Sequence, residues 1–251
     1  MNVSVMISVA VLAPVFCAAN CLASENSQKE KPYTIVVFGD STTATRGKLD
    51  IYANRLAREL PAKRIKAEII NAGVGGNTTQ MAMARFERDV LAKNPDLVVI
   101  QFGINDSAID VWKTPPATEP RISKGKYIQN LEKFIEILKA RKCKVILMTP
   151  NQMCWTQRLK ENYGKPPYNT ADPDGFNVTL REYAQAVRET AEKHKVPLVD
   201  VYAAYLAYGK IENQSVNNLL LDGMHPNDKG HRIVAGLLIP EIVKLYEKKS
   251  E

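Results

Sequence analysis

Five short apolar runs, separated by longer segments with helical periodicity, constrain the fold of this chain more than any other feature. The runs cover residues 35–38, 67–70, 96–102, 144–149 and 197–201, and most are rich in β-branched residues. Such runs are typical of strands that are buried on both faces. Helical periodicity marks residues 49–60, 80–93, 127–141, 176–195 and 227–248. The alternation predicts a three-layer α/β/α sandwich built on a five-stranded parallel sheet.

The N-terminal residues have a different character from the rest of the chain. Val3 to Ala19 is almost wholly apolar, and it leads to the small-residue sequence Leu22-Ala23-Ser24. This pattern predicts a signal peptide over residues 1–23, although its first residues lack Lys and Arg. A retained N-terminal anchor is the alternative. We expect a flexible lead-in over 24–31, a folded domain over 32–251, and export to the periplasm or the extracellular space.

Composition excludes several classes of function. The chain has 251 residues and a formal net charge of +7, but its basic residues are scattered along the sequence, apart from a C-terminal Lys cluster. A nucleic-acid-binding protein should concentrate such charge, so we expect no nucleic-acid partner. No Cys-x-x-Cys or His-x-x-x-His spacing is present, so no metal or cofactor is expected. Beyond residue 23 no apolar stretch is long enough for stable membrane insertion.

Polar residues follow the predicted strands at one edge of the sheet. Ser41 comes directly after the first strand, and further loops begin at Asn71, Gly103 and Pro150. Right-handed crossovers bring the carboxyl ends of parallel strands to a common side, where open α/β sheets bind their ligands. We therefore expect these four loops to meet around Ser41, which becomes the candidate nucleophile.

A histidine base is available near the C-terminus. Asp222 lies three residues before His225 in a turn, which allows the carboxylate to reach the imidazole and fix its tautomer. The chain has two other histidines, His194 in a Lys-rich helix end and His231 inside the last helix. His225 is therefore the natural candidate for the general base.

Four short motifs together resemble a known family. They are Gly39-Asp40-Ser41, Gly76-Asn77-Thr78, Gly103-x-Asn105-Asp106 and Asp222-x-x-His225. Their residues and their order resemble the four sequence blocks of the SGNH (GDSL-type) hydrolases, over residues 33 to 248. The resemblance implies a flavodoxin-like fold and a serine esterase with the triad Ser41, His225 and Asp222. Thr42 replaces the usual leucine of the first block, a change that leaves the proposed chemistry untouched.

Ester cleavage also needs donors for a tetrahedral oxyanion. The expected donors are the backbone N–H groups of Ser41 and Gly76 and the side-chain amide of Asn105. Gly76 is favoured because Asn-Thr-Thr follows it, while Gly73 and Gly75 remain alternatives.

The substrate is expected to be a small-molecule or polysaccharide ester, with an O-acetyl group on a carbohydrate favoured. Two long loops, 106–126 and 151–175, hold both tryptophans of the protein, Trp112 and Trp155. These are candidate substrate-binding residues, or else they anchor the loops to the body. The alternative functions are a lysophospholipase or thioesterase and a catalytically silent carbohydrate-binding protein. The sequence does not indicate an oligomeric state.

Overall fold

A single five-stranded parallel sheet forms the centre of the protein, as predicted. The computed structural model describes Met1 and residues 31–248. The strands in them are β1 (Tyr33–Gly39), β2 (Ala67–Gly73), β3 (Leu97–Gln101), β4 (Lys144–Met148) and β5 (Leu198–Val199). Their order in the sheet is β2-β1-β3-β4-β5, and every neighbouring pair is parallel. Apart from Met1 and Lys31, the predicted signal peptide (1–23) and lead-in (24–31) lie outside the described residues.

Helices cover both faces of the sheet, which confirms the three-layer architecture. They are α1 (Tyr52–Glu59), α2 (Thr79–Asp89), α3 (Ile104–Ser107), α4 (Lys124–Ala140), α5 (Gln157–Tyr163), α6 (Leu180–His194), α7 (Val201–Gly209) and α8 (Asp228–Glu247). Successive residues of β1 enter different cores: Val37 packs with α1, α7 and α8, whereas Val36 packs with α2, α4 and α6. Burial on both faces explains why the strands lack polar alternation. Within the described part of the chain, no helix is both long and apolar enough to cross a bilayer.

Three of the helices were not predicted from the sequence. Helix α3 is a single turn, and α5 is a short polar helix inside the loop 151–175. Helix α7 follows β5 almost directly, and Asp200 caps it by accepting a hydrogen bond from the N–H of Ala203 at 3.0 Å. Its sequence is apolar nearly all round, so it has no 3.6-residue period to distinguish it from a strand. Helix α8 continues through Pro240.

The register of the sheet brings the functional loops to one edge. Gly39, the last residue of β1, is level with Gly73 of β2 and with Gln101 of β3, and Gln101 is level with Met148 of β4. The loops that follow these strands therefore start at the same level along the strand direction. A Cβ atom on Gly39 would lie 2.2 Å from the Thr43 hydroxyl, so only glycine fits where the chain turns towards Ser41.

The opposite, amino-terminal edge of the sheet carries a concentration of positive charge that the sequence did not reveal. A cleft of about 690 Å³ is lined there by six lysines, Lys139, Lys142, Lys144, Lys195, Lys244 and Lys248. Helices α4 and α6 end beside it, so the lysines complement the negative ends of the helix dipoles. The cleft contains none of the candidate active-site residues.

Candidate active site

Ser41, His225 and Asp222 form a continuous hydrogen-bonded chain. Ser41 Oγ lies 2.9 Å from His225 Nε2, and His225 Nδ1 lies 2.8 Å from Asp222 Oδ2. Because Asp222 holds the Nδ1–H, the Nε2 atom is left as an acceptor that faces the serine hydroxyl. This arrangement lets the imidazole accept the Ser41 proton as Ser41 attacks an electrophile.

A tight turn sets the position of His225. Asp222 Oδ1 accepts hydrogen bonds from the backbone N–H groups of Met224 at 3.1 Å and His225 at 2.9 Å. Gly223 between them has a φ of +86°, a conformation that favours glycine. Burial alone would raise the pKa of Asp222, but the hydrogen bonds from the His225 ring and from these N–H groups outweigh it and hold that pKa well below the usual range. The carboxylate therefore stays ionised and able to stabilise an imidazolium.

Three backbone N–H groups in the loops after β1 and β2, those of Ser41, Gly75 and Gly76, have no acceptor among the described residues. In the loop after β2, Gly73 donates its N–H to Asn71 Oδ1 at 2.8 Å, and Val74 donates to the Gly39 carbonyl at 3.1 Å. Gly73 is thereby removed from the candidate donors. The N–H groups of Gly75 and Gly76 remain without an acceptor in the described chain, and Gly76 has a φ of +74°.

Asn105 provides the side-chain amide that the sequence predicts at this site. It lies in α3, shortly after β3, and is buried. Its Nδ2 atom donates to the Asn77 carbonyl at 3.2 Å and lies 3.4 Å from Asp40 Oδ2. The third and second sequence motifs are thus in direct contact, on the same side of the sheet as Ser41.

Asp40 and Asp106 hold the loops together around the site. Asp40 Oδ1 accepts hydrogen bonds from both the N–H and the hydroxyl of Thr42, each at 2.8 Å. Asp106 Oδ1 accepts from the Thr79 N–H at 2.8 Å, which ties α3 to the start of α2. Burial raises the pKa of Asp40, and it raises the pKa of Asp106 to about 6. Both carboxyl groups therefore brace the turns.

The other two histidines are placed elsewhere. His231 is 2% exposed, and its ring lies 6.0 Å from that of Tyr52. Burial lowers the pKa of His231 to about 4. His194, at the end of α6, contacts Glu132 at 3.4 Å. Within the part of the chain that the structure describes, neither histidine is hydrogen-bonded to a serine.

A cleft of about 400 Å³ opens beside His225. It is lined by Trp112, Arg158, Leu159, Asn162, Tyr163, Asp222, Met224 and His225. Trp112 is 50% exposed, so its ring is available to a bound molecule. The contribution of α5 to this cleft was missed by the sequence reasoning, which treated residues 151–175 as a single loop.

Trp155 does not line this cleft. Its indole N–H donates to the carbonyls of Asn169 at 3.2 Å and Asp172 at 3.1 Å, and its ring stacks on Phe176 at a centroid distance of 4.5 Å. These contacts are those of a residue that anchors the loop. Among residues 31–248 no cluster of three or more His, Cys, Asp or Glu side chains could hold a metal ion.

Both the sequence and the fold resemble those of known proteins. The sequence matches the GDSL-like Lipase/Acylhydrolase family over residues 37–233. It is 33% identical over 217 residues to the lipoprotein YqeF of Bacillus subtilis, an alignment that covers 80% of this chain and 85% of that protein. It is 30% identical over 177 residues to an acetylxylan esterase of Geobacillus stearothermophilus, covering 69% and 71%. The crystal structure of a lipase/acylhydrolase from Enterococcus faecalis superposes with a TM-score of 0.64 at 29% identity, covering 84% of this chain and 95% of that one.

Proposed function

Because the chain belongs to the GDSL-like lipase/acylhydrolase family and is an ester hydrolase, we propose that it removes short acyl groups, above all O-acetyl groups, from carbohydrates. The observation that carries the proposed mechanism is the 2.9 Å contact between Ser41 Oγ and His225 Nε2. Together with the Asp222 contact, it supplies a nucleophile, a base and an orienting carboxylate in one line.

In the proposed first half-reaction, Ser41 Oγ attacks the ester carbonyl while His225 accepts its proton. The resulting oxyanion accepts hydrogen bonds from the N–H groups of Ser41 and Gly76 and from Asn105 Nδ2, with the adjacent Gly75 N–H as the alternative backbone donor. The tetrahedral intermediate collapses as His225 returns the proton to the leaving alcohol. An acyl group then remains on Ser41, and the deacylated sugar departs.

The second half-reaction repeats these roles with water. His225 removes a proton from a water molecule, which attacks the acyl-enzyme carbonyl through a second tetrahedral intermediate. Collapse of this intermediate releases the carboxylic acid and returns the proton to Ser41. Throughout, Asp222 keeps the imidazole in the productive tautomer and stabilises its protonated form.

The proposal of a carbohydrate ester has two supports. One relative that is 30% identical to this chain is an acetylxylan esterase. In addition, Trp112 stands half-exposed at a cleft whose lining mixes aromatic and polar groups, including Tyr163 and Asn162. An aromatic face can pack on the C–H face of a sugar while polar neighbours bond its hydroxyls. Export, proposed from the apolar N-terminal sequence, is supported by the lipoprotein relative.

Acyl-chain length provides the experiment that tests this function. We expect kcat/KM on p-nitrophenyl esters to be highest for acetyl and to fall towards octanoyl, with release of acetate from acetylated xylan. A lipid acylhydrolase would instead gain up to about 0.8 kcal/mol for each methylene buried along an apolar channel. A steady rise of kcat/KM from acetyl to octanoyl would replace the carbohydrate proposal with that alternative. Absence of hydrolysis of any ester would favour a silent carbohydrate-binding protein.

Trp112 should contribute to the binding of the sugar. We expect Trp112→Ala to raise KM for an acetylated xylo-oligosaccharide about 5- to 10-fold, since loss of one aromatic contact costs roughly 1 kcal/mol. Turnover of p-nitrophenyl acetate should be unchanged, because that ester lacks an acceptor sugar. Trp155→Ala is the matched control: it should lower the melting temperature and affect both substrates alike. Equal losses on both substrates for Trp112→Ala would remove Trp112 from the binding site.

A further inference from the structure

Arg121 lies beside the candidate oxyanion hole although it is 16 positions from Asn105 in the chain. The loop after α3 folds back on itself, with the Arg121 N–H donating to the Ala108 carbonyl at 3.0 Å. The next residue, Ile122, donates its N–H to the Asp106 carbonyl at 3.1 Å. The backbone of this segment is therefore fixed on α3, and the Arg121 side chain is 31% exposed.

The guanidinium group of Arg121 is held in a single orientation. Its Nη2 atom donates to Asp110 Oδ1 at 2.7 Å, and its Nε atom lies 3.0 Å from the same oxygen. Asp110 is 4% exposed, so its carboxylate is itself fixed inside the protein. The remaining nitrogen, Nη1, donates to Asn105 Oδ1 at 3.1 Å. A planar, charged fork thus connects a buried carboxylate to the amide of Asn105.

This contact helps to fix which way the Asn105 amide faces. A guanidinium carries only donors, so it can bond the amide oxygen but not the amide nitrogen. Rotating the amide by 180° would place an N–H group against the cation and remove the hydrogen bond. Arg121 on the amide oxygen therefore acts in the same sense as the Asn77 carbonyl and Asp40 Oδ2, which lie 3.2 Å and 3.4 Å from Nδ2.

We propose that Arg121, held by Asp110, is a positioning residue that fixes the Asn105 amide as an oxyanion donor. The inference rests on the proposed function, in which Asn105 Nδ2 stabilises the tetrahedral intermediate. Arg121 touches the acceptor atom of the amide and acts on the reaction through it. Its positive charge also draws electron density towards Oδ1, which makes the Nδ2–H groups better donors. Both effects act when negative charge develops on the substrate oxygen, so they should raise kcat rather than lower KM.

Single variants test the role first. Arg121→Met should lower kcat for p-nitrophenyl acetate about 10- to 100-fold, part of the effect of losing an oxyanion donor, with KM within about twofold of the wild type. Arg121→Lys, which keeps the charge without the planar fork, should recover only part of this loss. Lys113→Met is the matched control, because Lys113 binds Asp110 at 2.8 Å but has no hydrogen bond to Asn105. It should leave kcat unchanged.

A double-mutant cycle separates positioning from other roles. In an Asn105→Ala background, Arg121→Met should have almost no further effect on kcat, because the group that it orients is gone. If the losses of kcat in the two single variants multiplied in the double variant, Arg121 would act independently of Asn105, and the proposal would be overturned. A raised KM with unchanged kcat would overturn it in favour of direct substrate binding. If Ser41→Ala retained full turnover, the proposed function itself would fail, whatever the Arg121 variants did.

Discussion

Ser41→Ala is expected to reduce kcat for p-nitrophenyl acetate by about 10⁴-fold or more, because the variant has no atom to form the acyl-enzyme. The 2.9 Å contact with His225 Nε2 is the reason for expecting the whole effect at this one serine. Ser41 is partly exposed at the end of β1, so removing its hydroxyl leaves no buried group without a partner. Circular dichroism and the melting temperature should therefore match those of the wild type.

Ser123→Ala provides the matched control for the loss of a hydroxyl. Ser123 caps α4 by accepting a hydrogen bond from the Lys126 N–H at 3.4 Å, and it is absent from the cleft beside His225. Its replacement should lower the free energy of unfolding by about 1 kcal/mol, which is the usual effect of removing a helix cap. Turnover should be unchanged. Wild-type turnover in a folded Ser41→Ala variant would refute the serine mechanism, and burst kinetics in the wild type would support it.

The parts of the site that were predictable are those fixed by local sequence. A buried strand followed by Gly39-Asp40-Ser41 specifies a strand, a tight turn and an exposed hydroxyl within a few residues. Because loops at the carboxyl ends of parallel strands share one edge of the sheet, Asn105 can be predicted to lie at the same edge without knowledge of tertiary contacts. The short span between Asp222 and His225 fixes the second half of the site in the same way.

Other parts depend on contacts that no local pattern records. Arg121 follows a stretch rich in proline and has no periodic signal, so its contact with Asn105 is visible only once the loop is folded. The same is true of α5, whose seven residues bring Arg158 and Tyr163 to the cleft. The sequence predicts the same role for both tryptophans. In the structure, however, Trp112 is half-exposed at the cleft, whereas Trp155 is hydrogen-bonded into its loop.

The charge distribution of the protein also depends on tertiary structure that no local pattern records. Along the chain the basic residues look scattered, because the lysines of one cleft come from segments as far apart as Lys139 and Lys248. The fold collects them where α4 and α6 end, at the amino-terminal edge of the sheet. The active-site edge lies at the other end of the strands. Net charge read from a sequence therefore says little about where that charge acts.

His225→Ala is expected to remove nearly all activity, by about 10⁴-fold or more in kcat, because the imidazole transfers protons in both half-reactions. Asp222 Oδ2, 2.8 Å from Nδ1, orients this ring. His194→Ala should keep most activity, since His194 contacts Glu132 at the end of α6. Measurement of kcat for both variants, with the melting temperature as a check on folding, tests the assignment.

His231 provides a second control, because its replacement should also change how the stability of the protein depends on pH. Its pKa falls to about 4 in the folded protein, whereas an imidazole in an unfolded chain titrates near 6.5. The unfolded chain therefore binds an extra proton as the pH falls through 6.5, and the wild type loses stability between pH 6.5 and 4 from this group. His231→Leu should retain turnover at pH 7 and lose this part of the acid destabilisation, about 2 kcal/mol between pH 6.5 and 5. A silent but folded His231→Leu variant beside an active His225→Ala variant would mean that the base had been assigned to the wrong histidine.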